Sequence, residues 1–415
     1  MKKSRKDNRG RVLNCGEIYI ANEDRYRFSY TDRYGKRYHL YAKDLKTLRE
    51  KEEKVWLDTH DGINSYLSGH VTLNETFDRY MACKSNLRRT TKHNYIYMYN
   101  KFVRDSFGKN MLCKIRFSDV KAFYNSLVEL DGMQPNTAAT IHCFLRPTFE
   151  MAVRDEIIRS NPCAGAMEEI NKCFSHNKGV RHALTLPQQQ AFMDYINDHP
   201  VYGHWYNAFA VLIGTGLRCG EFIGLRWEDI DMDERTINVN HTLVRVPREA
   251  YDRRRRLGVS LPKTDAGVRT IPMLDSVYEA FKSEYEFQSS YGFCEANIEG
   301  MTNFIFYNAN GNPLCEQNIN SAIKRILESY HMEEEVLAAK EGREPLIIPH
   351  FSCHHLRHTF CTRYCENETN IKAIQSVMGH KNSKTTLDIY AEATSDVKIE
   401  SMGNFSKVWD DKIKR

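Results

Sequence analysis

Residues 353–365 read CHHLRHTFCTRYC, three histidines and three cysteines in thirteen positions. His354 and His358 stand four apart, as do Cys361 and Cys365. Imidazole and thiolate are common zinc ligands, and i,i+4 spacing puts both members of a pair on one face of a helix. A zinc site is therefore one reading of the stretch. Arg357 sits in its middle, however, and a fixed cation suits a phosphate better than a metal ion. The choice between metal and phosphate decides what kind of domain surrounds these residues, and the rest of the chain has to make it.

The chain has 415 residues, enough for two or three domains. Hydrophobic content of 41% and charged content of 27% are ordinary for a soluble chain. No run of about 18 apolar residues occurs, so no membrane span is expected. The start, MKKSRKDNRGR, is basic but lacks the apolar region of a secretory signal. Twelve cysteines without a CxxC pair read as reduced thiols, many of them core residues, in a cytoplasmic protein. Charge is uneven: residues 1–46 hold thirteen Lys/Arg and six Asp/Glu, a surplus larger than the +5 of the whole chain. A basic module points to a polyanionic partner, and a solvated tail is the alternative for residues 1–11.

Periodicity divides the chain. EIYIA, RYRFSYTD and KRYHLYA, between residues 17 and 42, alternate as three short strands, with NED and RYG as turns. A helix over about 44–59 follows, with Leu45, Leu48 and Trp56 on its buried face. At Thr72 the texture becomes helical. TLNE, 72–75, is a capping box, and apolar positions at helical spacing predict four helices, the last kinked at Pro147. INKCFSHNKGVRH, 170–182, reads as an extended linker. Beyond it the pattern is mixed: helices near 187–198 and 203–213, strands in RTINVNHTLVRV and GVRTIPM, a loop between them, then mostly helix. SYHMEEEVLAAKEGREP, 329–345, reads as an acidic insertion. The expected domains are 1–64, 70–170 and 181–398, with a tail helix over 399–415. That tail carries an apolar stripe at Ile399, Met402, Trp409 and Ile413, to be buried on its own domain or on a neighbouring copy.

Four segments carry chemistry. GTGLRCGEF places Arg218 and Glu221 one helical turn apart, where the carboxylate can steady the guanidinium. PKTDAGVR puts Lys263 in a hairpin. HHLRH supplies His354 and Arg357, an i,i+3 pair, and His358. VMGHKNSKTTLDIYAEA supplies His380 and, ten residues on, Tyr390. Each alone is commonplace. Together they suit attack on a phosphodiester, with arginines to grip it, tyrosine as the nucleophile, and lysine and histidine to handle protons. Gly220 is out of place inside the arginine segment, where a better helix former would be expected.

In this order and spacing the set resembles the catalytic signature of the tyrosine recombinases, the phage integrase family. The arginine box matches TGLRCGEF and LRWEDID, the hairpin lysine PKT, the histidine–arginine box HHLRH, and the last boxes MGH and TTLDIY. The opening KDNRGRVL is similar to the branch that serves conjugative transposons. The resemblance implies a basic arm-binding sheet with one helix, then a helical core-binding (SAM-like) domain, then a mixed α+β catalytic domain. It implies that Tyr390 forms a 3′-phosphotyrosine and releases a 5′-hydroxyl. Arg218, Arg357, His354 and His380 would stabilise the phosphorane, Lys263 would protonate the leaving oxygen, and Glu221 would support them. The resemblance calls for no metal and no other cofactor. Its partners would be double-stranded DNA at core and arm sites, three further copies in a tetramer, an excisionase and a host DNA-bending protein. Under it, residues 353–365 bind phosphate, and Cys353, Cys361 and Cys365 are packing residues. A relaxing enzyme of the type IB topoisomerase kind and a non-cleaving DNA-binding regulator remain the alternatives.

Overall fold

The computed structural model describes residues 5–32, 35–60, 70–129, 132–175, 183–246, 256–262, 267–380 and a few positions between 382 and 389. The chain divides into two compact units, Met1–Lys178 and Gly179–Arg415.

The first unit opens with strands β1 (Glu17–Ile20), β2 (Arg25–Thr31) and β3 (Arg37–Ala42), antiparallel in that order. Period-2 alternation puts Tyr26 and Phe28 on one face, 3% and 4% exposed, against Leu13, Leu45 and Leu48. Helix α1 (Leu45–His60) covers that face. Trp56, expected there, is 65% exposed, and Val55 is buried instead. Val55 lies seven positions after Leu48, two helical turns, which returns it to the same face; Trp56 is rotated about 100° away. Residues 5–13 fold into a loop. Asp7 accepts from the backbone N–H of Arg9 (2.9 Å) and Arg11 (2.8 Å), the Arg11 side chain (2.7 Å) and the Tyr26 hydroxyl (2.9 Å).

Helices α2 (Leu73–Cys83), α3 (Arg89–Phe102), α4 (Phe117–Glu129), α5 (Pro135–Arg154) and α6 (Glu168–Ser175) complete the unit. Thr72 caps α2 in the capping box read from TLNE. The aromatic stripes meet in the core, where Phe77 stacks on Tyr99 with centroids 3.6 Å apart and both pack against Phe144. Helix α5 continues across Pro147 to Arg154.

The second unit begins with α7 (Leu186–Asn197), the apolar α8 (Tyr206–Thr215) and the short α9 (Cys219–Ile223). The run RTINVNHTLVRV makes two strands rather than one. Strand β5 (Thr236–Val239) joins β4 (Ile230–Asp231) and β8 (Arg269–Pro272) in a sheet of order β4-β5-β8. After a break at Asn240 and His241, β6 (Thr242–Val246) pairs with β7 (Arg256–Ser260), which falls in the segment read as loop. Helices α10 (Asp275–Tyr291), α11 (Glu316–Glu341), α12 (Cys353–Asn367) and α13 (Ile371–Met378) follow. Most of the acidic stretch, 329–341, is helical and forms the last part of α11. Gly342, at φ 66°, ends the helix, and Arg343 turns back to Glu334 (Nη2–Oε2 3.0 Å). No helix among the described residues is long and apolar enough to cross a membrane.

Candidate active site

Helix α8 stops at Gly216, whose φ of 60° suits glycine, and the chain turns to present Arg218 at the start of α9. The backbone N–H of Arg218 donates to Glu221 Oε2 (2.9 Å), and its Nη1 donates to Oε1 (2.7 Å). Gly220, odd as a helix residue, is explained by packing: a Cβ there would lie 2.9 Å from the carbonyl oxygen of Leu243 in β6. The short helix lies so close to the ribbon that only hydrogen fits.

Arg357 projects inward from α12 and is 5% exposed. Its Nη1 donates to Gly216 O (2.7 Å) and its Nη2 to Met378 O (2.6 Å). Arg269, on β8, was not singled out from the sequence. It is 8% exposed, and its guanidinium grips both oxygens of Glu221, at 3.2 and 2.8 Å. Along β8 burial alternates, and Arg269 shares the inward parity of Ile271. Its Nε also donates to Val377 O (2.7 Å), and Arg218 Nη2 donates to Gly379 O (2.7 Å). Three arginines from three distant segments thus bind the successive carbonyls of residues 377, 378 and 379. These close the C-terminal end of α13, where carbonyls lack helical partners and the helix dipole is negative.

His380 follows at once and is 9% exposed. Gln375 clamps its backbone, accepting from His380 N (3.2 Å) and donating Nε2 to His380 O (2.9 Å). Its Nδ1 lies 3.0 Å from Thr386 Oγ1, which leaves Nε2 for other work. Val268, Arg269, Lys372, Gln375, Ser376 and His380 line a pocket of about 270 Å³.

Electrostatics follow from one carboxylate among three guanidiniums. Burial works against ionisation of Glu221, but the hydrogen bonds and charge of Arg269, then the charge of Arg218, outweigh it and hold the carboxyl at about 2. Burial, then the charges of Arg357, Arg218 and Arg269, push His380 down to about 4, so it is neutral at pH 7. Burial and the neighbouring Arg218 likewise work against the charge on Arg357. The centre carries more positive charge than it can balance, which is the condition of an anion receptor.

Of the residues named from the sequence, Arg218, Glu221, Arg357 and His380 converge here. His354 lies exposed in the first turn of α12. His358 is half-buried, its Nδ1 3.4 Å from Thr362 Oγ1. Cys353, Cys361 and Cys365 are 2%, 0% and 2% exposed, inside the domain. Lys263 and Tyr390 lie outside the described residues, as does the tail over 399–415.

Residues 182–396 match the phage integrase family, 1–59 the DNA-binding domain of Tn916 integrase, and 72–128 the SAM-like N-terminal domain of phage integrases. The chain is similar to the transposase of transposon Tn916 from Enterococcus faecalis, 29% identical over 420 residues and covering 98% of each chain. Its fold is similar to the Tn1549 transposon integrase in complex with transposon right-end DNA, with TM-score 0.69, 28% identity, and coverage of 81% of this chain and 100% of that one. A lambda integrase dimer bound to a core site shares the fold at TM-score 0.52 and 18% identity, with coverage of 92% and 95%. The chain belongs to the phage integrase family, the tyrosine recombinases.

Proposed function

We propose that the chain is a site-specific DNA recombinase that integrates and excises a mobile element, with Tyr390 as nucleophile. Arg218, Lys263, His354, Arg357 and His380 form its catalytic set, and Glu221 supports them. The observation that carries this reading is the arginine cluster, in which Arg218 and the buried Arg269 and Arg357 surround Glu221 and the end of α13. Each guanidinium has five donors in a planar fork. The bonds above use two from Arg218 and two from Arg357, so both can still reach the non-bridging oxygens of a phosphodiester. Arg218 has a side chain 39% exposed and is the one presented outward. Where the Thr386 hydroxyl donates to Nδ1, neutral His380 carries its proton on Nε2 and can donate it to the same phosphate.

Tyr390 Oη attacks phosphorus, and the bond to the 5′-oxygen breaks. Lys263 protonates that oxygen, leaving a 5′-hydroxyl and a 3′-phosphotyrosine. A 5′-hydroxyl from a second duplex attacks the phosphotyrosine and frees the tyrosine. The covalent link conserves the energy of the broken bond, so rejoining needs no nucleotide cofactor. Exchange between two duplexes calls for four copies. Residues 70–170 and 181–398 grip the core site, and residues 1–64, with their surplus of positive charge, bind arm sites through the sheet. An excisionase and a host DNA-bending protein are the expected accessory partners, in the cytoplasm at the nucleoid.

The test is a nicked suicide duplex carrying the element's end, followed by a denaturing gel. Wild type should leave a protein–DNA adduct, and Tyr390→Phe should bind the duplex without one. An adduct that persists in Tyr390→Phe places the nucleophile elsewhere.

A further inference from the structure

The break between β5 and β6 buries a histidine that the reaction does not use. His241 is 4% exposed. Its Nε2 lies 2.7 Å from the carbonyl oxygen of Gly224, the residue that caps α9. Its Nδ1 lies 2.5 Å from Asn240 Oδ1. Asn240 Nδ2 in turn donates to Asp229 Oδ1 at 2.9 Å, and Asp229, 4% exposed, also accepts from the backbone and side chain of Arg226.

The result is a chain of three links: carbonyl to imidazole, imidazole to amide, amide to carboxylate. Every link needs one hydrogen. The carbonyl and the carboxylate supply none, the amide supplies one, and a neutral imidazole supplies one. Two hydrogens cannot serve three links. Turning the amide over only moves the gap: Nδ2 would then serve the ring, and Oδ1 would face the carboxylate at hydrogen-bonding distance. A second ring proton closes the chain, and the Asp229 carboxylate at its far end balances the charge.

We propose that His241 is a buried imidazolium that positions α9, and through it Arg218 and Glu221. Burial, then Arg226, lowers the ring's pKa below the ordinary imidazole value, against the pull of Asp229 and the Gly224 carbonyl; the hydrogen count argues the other way, and among the described residues these groups and the Asn240 amide are the ones that act on the ring. The unmade link of a neutral chain is the cost that the second ring proton removes. Loss of the proton sets a ring lone pair against Asn240 Oδ1, and the cap of α9 has to shift. Arg218 and Glu221 then lose their fixed place. This effect on cleavage rests on the role proposed for Arg218; the protonation of the ring does not.

The experiment uses full-length protein labelled with ¹⁵N in the histidine rings, with His241→Gln to assign the signal. At pH 7.5 both His241 nitrogens should resonate in the protonated range. In Asp229→Asn the new amide can donate to Asn240 Oδ1, so three donors exist without the extra proton, and one ring nitrogen should move to the unprotonated range. One unprotonated nitrogen in wild type would overturn the proposal. Single-turnover cleavage of the suicide duplex against pH tests the positioning role. The alkaline loss of rate should begin at lower pH in wild type than in Asp229→Asn, and identical alkaline limbs would overturn that role. No cleavage at any pH, with two protonated nitrogens, would count against the proposed nucleophile and arginines instead.

Discussion

Glu221 is the residue on which the arginine cluster balances. Arg218 and Arg269 share its two oxygens, and it is 4% exposed. Glu221→Gln keeps the shape and removes the charge, leaving buried guanidiniums without a counter-ion. A loss of about 3–5 kcal/mol is expected from breaking such a pair, together with loss of cleavage; urea unfolding and the suicide duplex check each half. With a folded pKa of about 2 against 4.5, the stability Glu221 contributes is full above pH 4.5 and is lost as pH falls toward 2. His380 acts over a different window. Its pKa falls from 6.5 to about 4 on folding, so its contribution is full above pH 6.5 and lost between 6.5 and 4. His380→Gln should flatten the stability profile across that interval, and an unchanged slope would argue against the shift. Arg218, Glu221 and Arg357 were legible in the sequence because helical spacing ties each to a neighbour, and His380 because it sits in a box ending at a tyrosine. Arg269 has no such neighbour. Its meaning lies in the inward face of a four-residue strand, which shows only once the sheet is assembled.

Elements differ in the same way. Helices α2 to α5 could be read from their apolar periods because each buries one stripe against the others. Strand β7 was missed because RLGVS has only alternate weak signals and forms through its pairing with β6. The break at Asn240–His241 was hidden because both halves of the run favour strand, and two different sheets claim them. Gly220 looked like a poor choice for the same reason: its cause is in another element. Alanine would improve intrinsic helix propensity by about 1 kcal/mol, yet its Cβ would meet a backbone oxygen of β6 at 2.9 Å. Gly220→Ala should therefore destabilise the catalytic unit, by about 1–3 kcal/mol as overpacking does, and slow cleavage; a thermal melt that rises instead would contradict that packing.

For the whole molecule, the arm-site role proposed for the basic N-terminal residues has a direct test. Removing residues 1–64 should abolish arm-site binding and leave cleavage at core sites, measured by gel shift and suicide duplex. Arm binding by the full chain should fall with salt, at a slope of about −0.9 per phosphate contacted; salt-insensitive binding would refute a phosphate-led interface. The deletion also removes Asp58, which is 4% exposed and accepts from Arg159 at 2.9 Å. The truncated protein should thus melt somewhat earlier than the full chain, and Asp58→Asn in the full chain should reproduce most of that loss.

The end of α13 has a bearing on how the gene can change. Three arginines read three carbonyls in strict succession, at residues 377, 378 and 379. Adding or deleting one residue in α13 would rotate that end by about 100° and slide it by about 1.5 Å, detaching all three contacts in a single event. Length at this helix is therefore under tighter constraint than the identity of most of its residues. In a library of single-codon insertions and deletions, α13 should tolerate none, whereas the exposed turn at 309–312 should accept several.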